Sequence, residues 1–242
     1  MAHGQPDFGA YAAKETVGSL ADIGELAARL GSIVTYDRRG DVVFLDSFES
    51  GLSAWYTDFS GAGGGVTQSP DHARNGMFST RMVCGSNLLR EAYLWKYLPY
   101  PIAGNLGVEF SFTMHDELEL LDLTIETIDD VKTLWAQLRY DQDAKVLKYR
   151  STGGAWKELQ TALTLLEFDD MFHTLKVVID YKNGNFVRAL LDERSWDMST
   201  FPIWSLGAMV GNRMHIALVT TGVALANATI YIDDFIVTQN EP

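Results

Sequence analysis

Cysteine is almost missing from this chain, and the single one, Cys84, excludes any internal disulfide. In the setting MFSTRMVC it reads as a small buried side chain rather than a reactive thiol. Long apolar runs are missing too. Although 47% of the residues are hydrophobic, no stretch approaches the ~18 positions of a membrane helix, so no span is expected. The amino-terminal region has neither the basic n-region nor the apolar h-region of a secretory signal, and export by the general route is not expected. Basic residues are few: 19 Lys and Arg stand against 32 Asp and Glu, a net charge of −13. Such a surface has little with which to release counterions from a phosphate backbone, which argues against nucleic acid and leaves cations or neutral polymers as partners. The histidines, His3, His72, His115, His173 and His215, form no H-x-H or H-E-x-x-H pair, and no G-x-S-x-G elbow occurs.

What the chain has is aromatics and turn residues: 21 Gly, 12 Phe, 10 Tyr and 6 Trp. From Val42 onward, short β-rich runs alternate with turns, the rhythm of an all-β, two-sheet antiparallel β-sandwich. In GVEFSFTM, Val108, Phe110, Phe112 and Met114 are expected inside and Glu109, Ser111 and Thr113 outside. HTLKVVIDYKNGNFVRALLD is expected to be a hairpin, with Asn183 and Gly184 as a type I′ turn. The last strand, NATIYIDDFIVTQ, is apolar on both faces at a period of two, with Asp234 in the row of Ile230, Ile232 and Ile236. Its two carboxylates need partners if that strand is covered. Ahead of the sandwich, residues 1–41 read as an arm plus one short amphipathic helix carrying Leu20, Ile23, Leu26 and Leu30 at helical spacing. Residues 42–242 are the main domain.

Four segments carry a resemblance: DSFESGLSAW at 46–55, DHARNGMFSTRM at 71–82, FHTLKVVIDYKNGNF at 172–186 and YIDDFIV at 231–237. In order and spacing they resemble the concanavalin A-like lectin/glucanase jelly roll and its related carbohydrate-binding sandwiches. The resemblance implies a structural Ca²⁺ held by Asp234, by Glu49 or Asp46, and by backbone oxygen near Asn75 and Gly76. The same acids could instead cap turns or pair with Arg74 or Arg81. Hydrolases of this fold carry E-x-D-x-E or E-x-D-x-x-E on one strand, and HDELELLDLTIETIDD at 115–130 does not reproduce that spacing. Asp122, Thr124 and Glu126 share one strand face there, but no enzyme is expected.

Two functions compete. Tyr93, Trp95 and Tyr97, all of one parity, with Trp156 and Trp204 in turn settings, are candidates for stacking against sugar rings, although three aromatics in one strand row of a sandwich are more often core. The other reading is a structural or assembly protein, such as a phage virion accessory or decoration protein. Residues 1–40 would then fasten it to another copy or to another structural protein, placing it in the virion or cytoplasm, and outside the cell when carried on a particle. The missing signal and the extra arm favour assembly, with a carbohydrate-binding module as the alternative and a glycoside hydrolase behind both.

Overall fold

The computed structural model describes residues 40–86, 90–101, 104–223 and 227–242. The arm and helix expected before residue 40, with Leu20, Ile23, Leu26 and Leu30, lie outside the described residues. Strands are numbered in chain order. One sheet runs β13 (Arg194–Asp197), β12 (Asn185–Leu191), β11 (His173–Asp180), β6 (Asn105–Phe112), β16 (Thr229–Glu241), β4 (Ser79–Val83) and β3 (Gly65–Ser69). Alongside β16 lies β1 (Asp41–Asp46). The second sheet runs β10 (Trp156–Gln160), β9 (Val146–Arg150), β8 (Thr133–Asp141), β7 (Leu118–Ile128), β15 (Arg213–Gly222), β5 (Glu91–Pro99) and β2 (Tyr56–Phe59), with β14 (Trp204–Leu206) beside β8. All pairings are antiparallel. The result is the expected all-β sandwich, and no helix occurs among the described residues.

Alternate residues of both sheets fill the space between them, including Leu94, Val108, Phe110, Leu123, Ile216, Leu218 and Ile232. At one end Trp55 packs edge-on against Phe235, with ring centroids 4.9 Å apart, and against Phe44 at 5.6 Å. Such edge-to-face pairs add to the stabilisation from burial. Cys84 is buried beside Thr220 Oγ1 at 3.2 Å.

First and last strands are neighbours, as the acidic segments suggested, with Asp46 opposite Phe235 and Leu45 opposite Ile236. The strict alternation expected along β16 does not hold. Its pairing with β6 slips by one residue between Asp233 and Ile236, and Asp234 takes a left-handed φ of 50°. This is a β-bulge. It reverses the phase of the strand, so the core row is Ile230, Ile232, Phe235 and Val237, and Ile236 leaves it. The bulge falls where the flanking strand changes: β4 pairs with residues 229–232 and β1 with residues 235–239.

Two further expectations change. Glu109, Ser111 and Thr113 point away from the core yet are buried. Strand β6 is central, and its outward side chains are met by those of its neighbours: Ser111 Oγ lies 3.0 Å from Thr174 Oγ1, and Thr113 Oγ1 accepts the Tyr231 N–H at 3.0 Å. The β11–β12 hairpin forms, but not through a type I′ turn. Only Gly184 has a positive φ, 73°. Asp180 Oδ1 accepts the N–H groups of Lys182 and Asn183 at 3.1 and 3.0 Å, and the Gly184 N–H reaches Asp180 O at 2.8 Å. An aspartate capping its own loop favours a longer turn over the two-residue one.

At the start of β11, His173 Nδ1 lies 2.7 Å from Asp192 Oδ2 and Nε2 lies 3.1 Å from Leu166 O. Burial alone would push this imidazole's pKa down, but the Asp192 carboxylate and the Leu166 carbonyl outweigh it and hold the pKa above its usual value. The pair's contribution is complete below the ordinary imidazole pKa of about 6.5 and is lost as pH rises through the higher folded value. Melting temperature is therefore expected to fall by a few degrees between about pH 6 and pH 9, and His173→Gln to flatten that slope in a fluorimetric melt.

Candidate functional site

Two places concentrate chemistry. The first is the bulge in β16. Asp233 and Asp234 are both buried there, and the loop before β4 is built around them. Asp233 Oδ2 accepts the N–H groups of Arg74 and Asn75 at 2.8 and 3.2 Å, and its Oδ1 accepts the Asp234 N–H at 2.8 Å. Asp234 Oδ2 receives Arg74 Nη1 at 2.6 Å and Asn75 Nδ2 at 2.5 Å. Burial raises both carboxyl pKa values; the charge of Asp234 adds to the rise at Asp233, whose pKa is pushed up to about 7, while Arg74 works against the rise at Asp234.

The other candidate cation ligands are engaged locally. Asp46 accepts the Phe48 N–H and Trp55 Nε1, each at 2.8 Å. Glu49 Oε1 accepts the N–H groups of Met77 and Phe78 at 2.7 and 2.9 Å, and a Cβ on Gly76 would run into that carboxylate. The acids therefore stitch the ends of β1, β4 and β16 together. Among the described residues no three His, Cys, Asp or Glu side chains group as a metal site. One oxygen, Asp234 Oδ1, is buried without a hydrogen-bond partner. A cation of the kind the resemblance implies would be held by that oxygen, by Glu49 or Asp46 and by backbone oxygen near Asn75 and Gly76, and would neutralise the buried charge.

The second place is the outer face of the second sheet. Antiparallel register puts residues from five strands into one transverse row: Tyr97 on β5, His215 on β15, Glu126 on β7, Trp135 on β8 and Trp204 on β14. Each has the outward parity of its strand, because the alternate residues, such as Leu94, Leu123, Ile125 and Ile216, fill the core. Tyr97 is 47% exposed and stacks on His215 at 4.8 Å with planes 21° apart. His215 Nδ1 lies 3.3 Å from Glu126 Oε2, while its Nε2 has no hydrogen-bond partner among the described residues. Trp135 Nε1 donates to Glu126 Oε1, and the Trp135 ring meets that of Trp204 edge-on at 5.3 Å. Burial pushes the Glu126 pKa up, but the hydrogen bonds from His215 and Trp135 outweigh it and hold the carboxyl below its usual range.

A second row lies beside the first. Tyr56, 58% exposed, stacks near Trp95 at 6.3 Å with planes 10° apart. Tyr93 meets Trp95 edge-on at 6.1 Å. The run Tyr93, Trp95 and Tyr97 is thus on the outer face, not in the core. Trp156 lies under Arg139, whose guanidinium carbon is 4.3 Å from its ring centroid, and Arg150 stands 4.2 Å from that of Trp204. Gly154, with φ of 76°, lets the β9–β10 turn approach the Trp204 ring: an added Cβ would be 3.3 Å from two ring carbons.

Trp156, Trp204 and the β5 aromatics are therefore brought to one face, whereas Asp46, Glu49, Asn75, Gly76 and Asp234 belong to the other sheet and its loops. His215 and the pairing of Glu126 with Trp135 are what sequence reading missed. For Glu126 and Trp135 the signal was present. The turn at 129–132 makes Ile128 face Thr133, and counting back along both strands puts Glu126 opposite Trp135. His215 carries no such signal, because its strand pairs with β7 across the long segment between them.

No family model matches the chain, and no curated protein is similar to it in sequence. Among solved structures it is similar to the cellulose induced protein Cip1, with a TM-score of 0.54 and 13% identity over 81% of this chain and 96% of that one. It is also similar to a protein of unknown function with a galectin-like fold from Bacillus subtilis, at a TM-score of 0.53 and 14% identity over 85% and 98% of the two chains. A sialidase matches at a TM-score of 0.53 and 11% identity over 84% of this chain, which spans only 18% of that protein. At these identities the likeness concerns the fold, a concanavalin A-like jelly-roll sandwich.

Proposed function

We propose that this protein binds a carbohydrate on the outer face of the β7–β15 sheet and carries out no chemistry on it. The observation that supports this reading is the transverse row itself, with two aromatic groupings at its ends and hydrogen-bonding side chains between them. Sugar rings present an apolar C–H face and a rim of hydroxyls, and a row of that composition offers both complements at once. Asp122 and Glu126, the carboxylates that share the outer face of β7, are not spaced for glycoside cleavage. Two carboxyls must flank the scissile bond at about 5 to 9.5 Å, whereas Asp122 and Glu126, four residues apart on one strand, are separated by about 13 Å. Asp122 is also bound by both Nε and Nη2 of Arg139 at 2.6 Å.

The fastening role expected of the amino-terminal arm depends on side chains outside the described residues, and no feature of the sandwich favours a virion partner. No helix of the described residues is long and apolar enough to cross a membrane. A glycan array followed by calorimetry tests the proposal. The wild-type protein is expected to bind, and Trp204→Ala to weaken binding by about tenfold or more with an unchanged circular dichroism spectrum. Absence of binding to every arrayed glycan, or a Trp204→Ala variant that binds like wild type, overturns the reading.

A further inference from the structure

We infer that the row takes an uncharged, extended oligosaccharide of about four units lying across the strands, and rejects chains that carry carboxylates. This rests on the carbohydrate reading above and adds length and charge to it. Length follows from register. Tyr97 and Trp204 occupy the same transverse row with four strand-to-strand steps between them, which at about 4.8 Å a step is about 19 Å. An extended pyranose chain advances by about one strand spacing per unit, so the Tyr97–His215 stack and the Trp135–Trp204 pair are set to hold the two ends of a chain of about four units. A single sugar covers only one of these ends.

Charge selectivity follows from where the charges on this face are directed. Glu126 sits at the middle of the row, and its carboxylate, held in the ionised form by His215 and Trp135, accepts hydroxyl hydrogens and repels another carboxylate. Arg139 and Lys148 are neutralised by carboxylates, while Arg150 and Arg213 are held by neutral oxygens. Arg139 is bidentate on Asp122 at 2.6 Å, and Lys148 Nζ meets Asp141 Oδ2 at 2.7 Å. Arg150 donates to Gln137 Oε1 at 2.8 Å and to Gly154 O at 2.9 Å. Arg213, the next outward residue on β15, reaches back to Val210 O at 3.3 Å. An acidic sugar would therefore lose its hydration against the central carboxylate while the guanidinium of Arg139 is already neutralised and the donors of Arg150 are already spent on neutral oxygens, and that imbalance discriminates against it.

The test uses neutral gluco-, manno- and galacto-oligosaccharides of one to six units and the same chains oxidised at C6 to uronic acids, titrated calorimetrically into the full-length protein. Affinity for at least one neutral series is expected to rise by about tenfold or more from one unit to four and then to level off, and the oxidised tetramer to bind about tenfold more weakly. Glu126→Gln should narrow that gap. If a monosaccharide binds as well as a tetramer, or if oxidised chains bind equally or better, the inference falls and the carbohydrate reading stands. If no neutral or acidic chain binds, the inference falls, and the glycan array decides whether the carbohydrate reading falls with it.

Discussion

Replacing Glu241 with Ala should lower the melting temperature by about 10 °C, although the residue is far from any candidate binding surface. Its carboxylate is buried on the outer side of the first sheet. There it accepts Thr238 Oγ1 at 2.6 Å, lies 2.7 Å from Lys176 Nζ and lies 2.9 Å from Arg188 Nη2. Lys176 is itself buried, and the carboxylate of Glu109 stands farther off, with Oε2 3.9 Å from the ammonium. Removing Glu241 leaves an ammonium in a site too dry to solvate it. Breaking a buried pair in this way typically costs about 3–5 kcal/mol, against the smaller effect of exchanging the whole pair for apolar groups. At roughly 2–4 °C per kcal/mol for a domain of this size, the shift should be plain in a thermal melt. The control is Lys176→Met combined with Glu241→Leu, expected to recover most of the loss. A single Glu241→Ala variant that melts within two or three degrees of wild type would mean that water reaches the ammonium after all.

The fold was legible wherever side-chain alternation and turn chemistry speak locally. The two faces of Val108 to Met114, the β11–β12 hairpin and the adjacency of the opening and closing segments could all be anticipated. What sequence could not supply is what depends on neighbours. Strand β6 looks half-exposed by its Glu109, Ser111 and Thr113, and only its central position reveals that they are buried. Strand β16 looks regular, and only the change of partner from β4 to β1 explains why a bulge is placed at Asp234.

The candidate site shows the same division. Parity along β5 grouped Tyr93, Trp95 and Tyr97 correctly but could not say which face they take, since core and surface rows have the same period. Their outward direction follows from Ala92 and Leu94 being buried between the sheets. The row of Tyr97, His215, Glu126, Trp135 and Trp204 joins five strands from widely separated parts of the chain. Only the Glu126–Trp135 step, across a tight hairpin, is encoded locally; the steps to His215, Tyr97 and Trp204 are not.

The other large effect is expected at Asp234. Asp234→Ala removes the acceptor of Arg74 Nη1 and of Asn75 Nδ2, and with it the link between the loop preceding β4 and the bulge. A loss of about 3–5 kcal/mol is expected, because the partly covered guanidinium of Arg74 loses its counterion and the polar lining of the bulge is left unmatched. We propose that a calcium ion adds to this arrangement: Asp234 Oδ1 is buried with no hydrogen-bond partner among the described residues, and a carboxylate oxygen left in that state is destabilising unless something positive meets it. Calcium is expected to raise the melting temperature of the wild type and EDTA to lower it. Asp234→Asn, which keeps the shape but gives up the charge, should abolish the response. Arg74 makes the experiment decisive. Its guanidinium already lies 2.6 Å from Asp234 Oδ2, so if it alone neutralises the site, the melts in calcium and in EDTA will coincide and the calcium proposal falls.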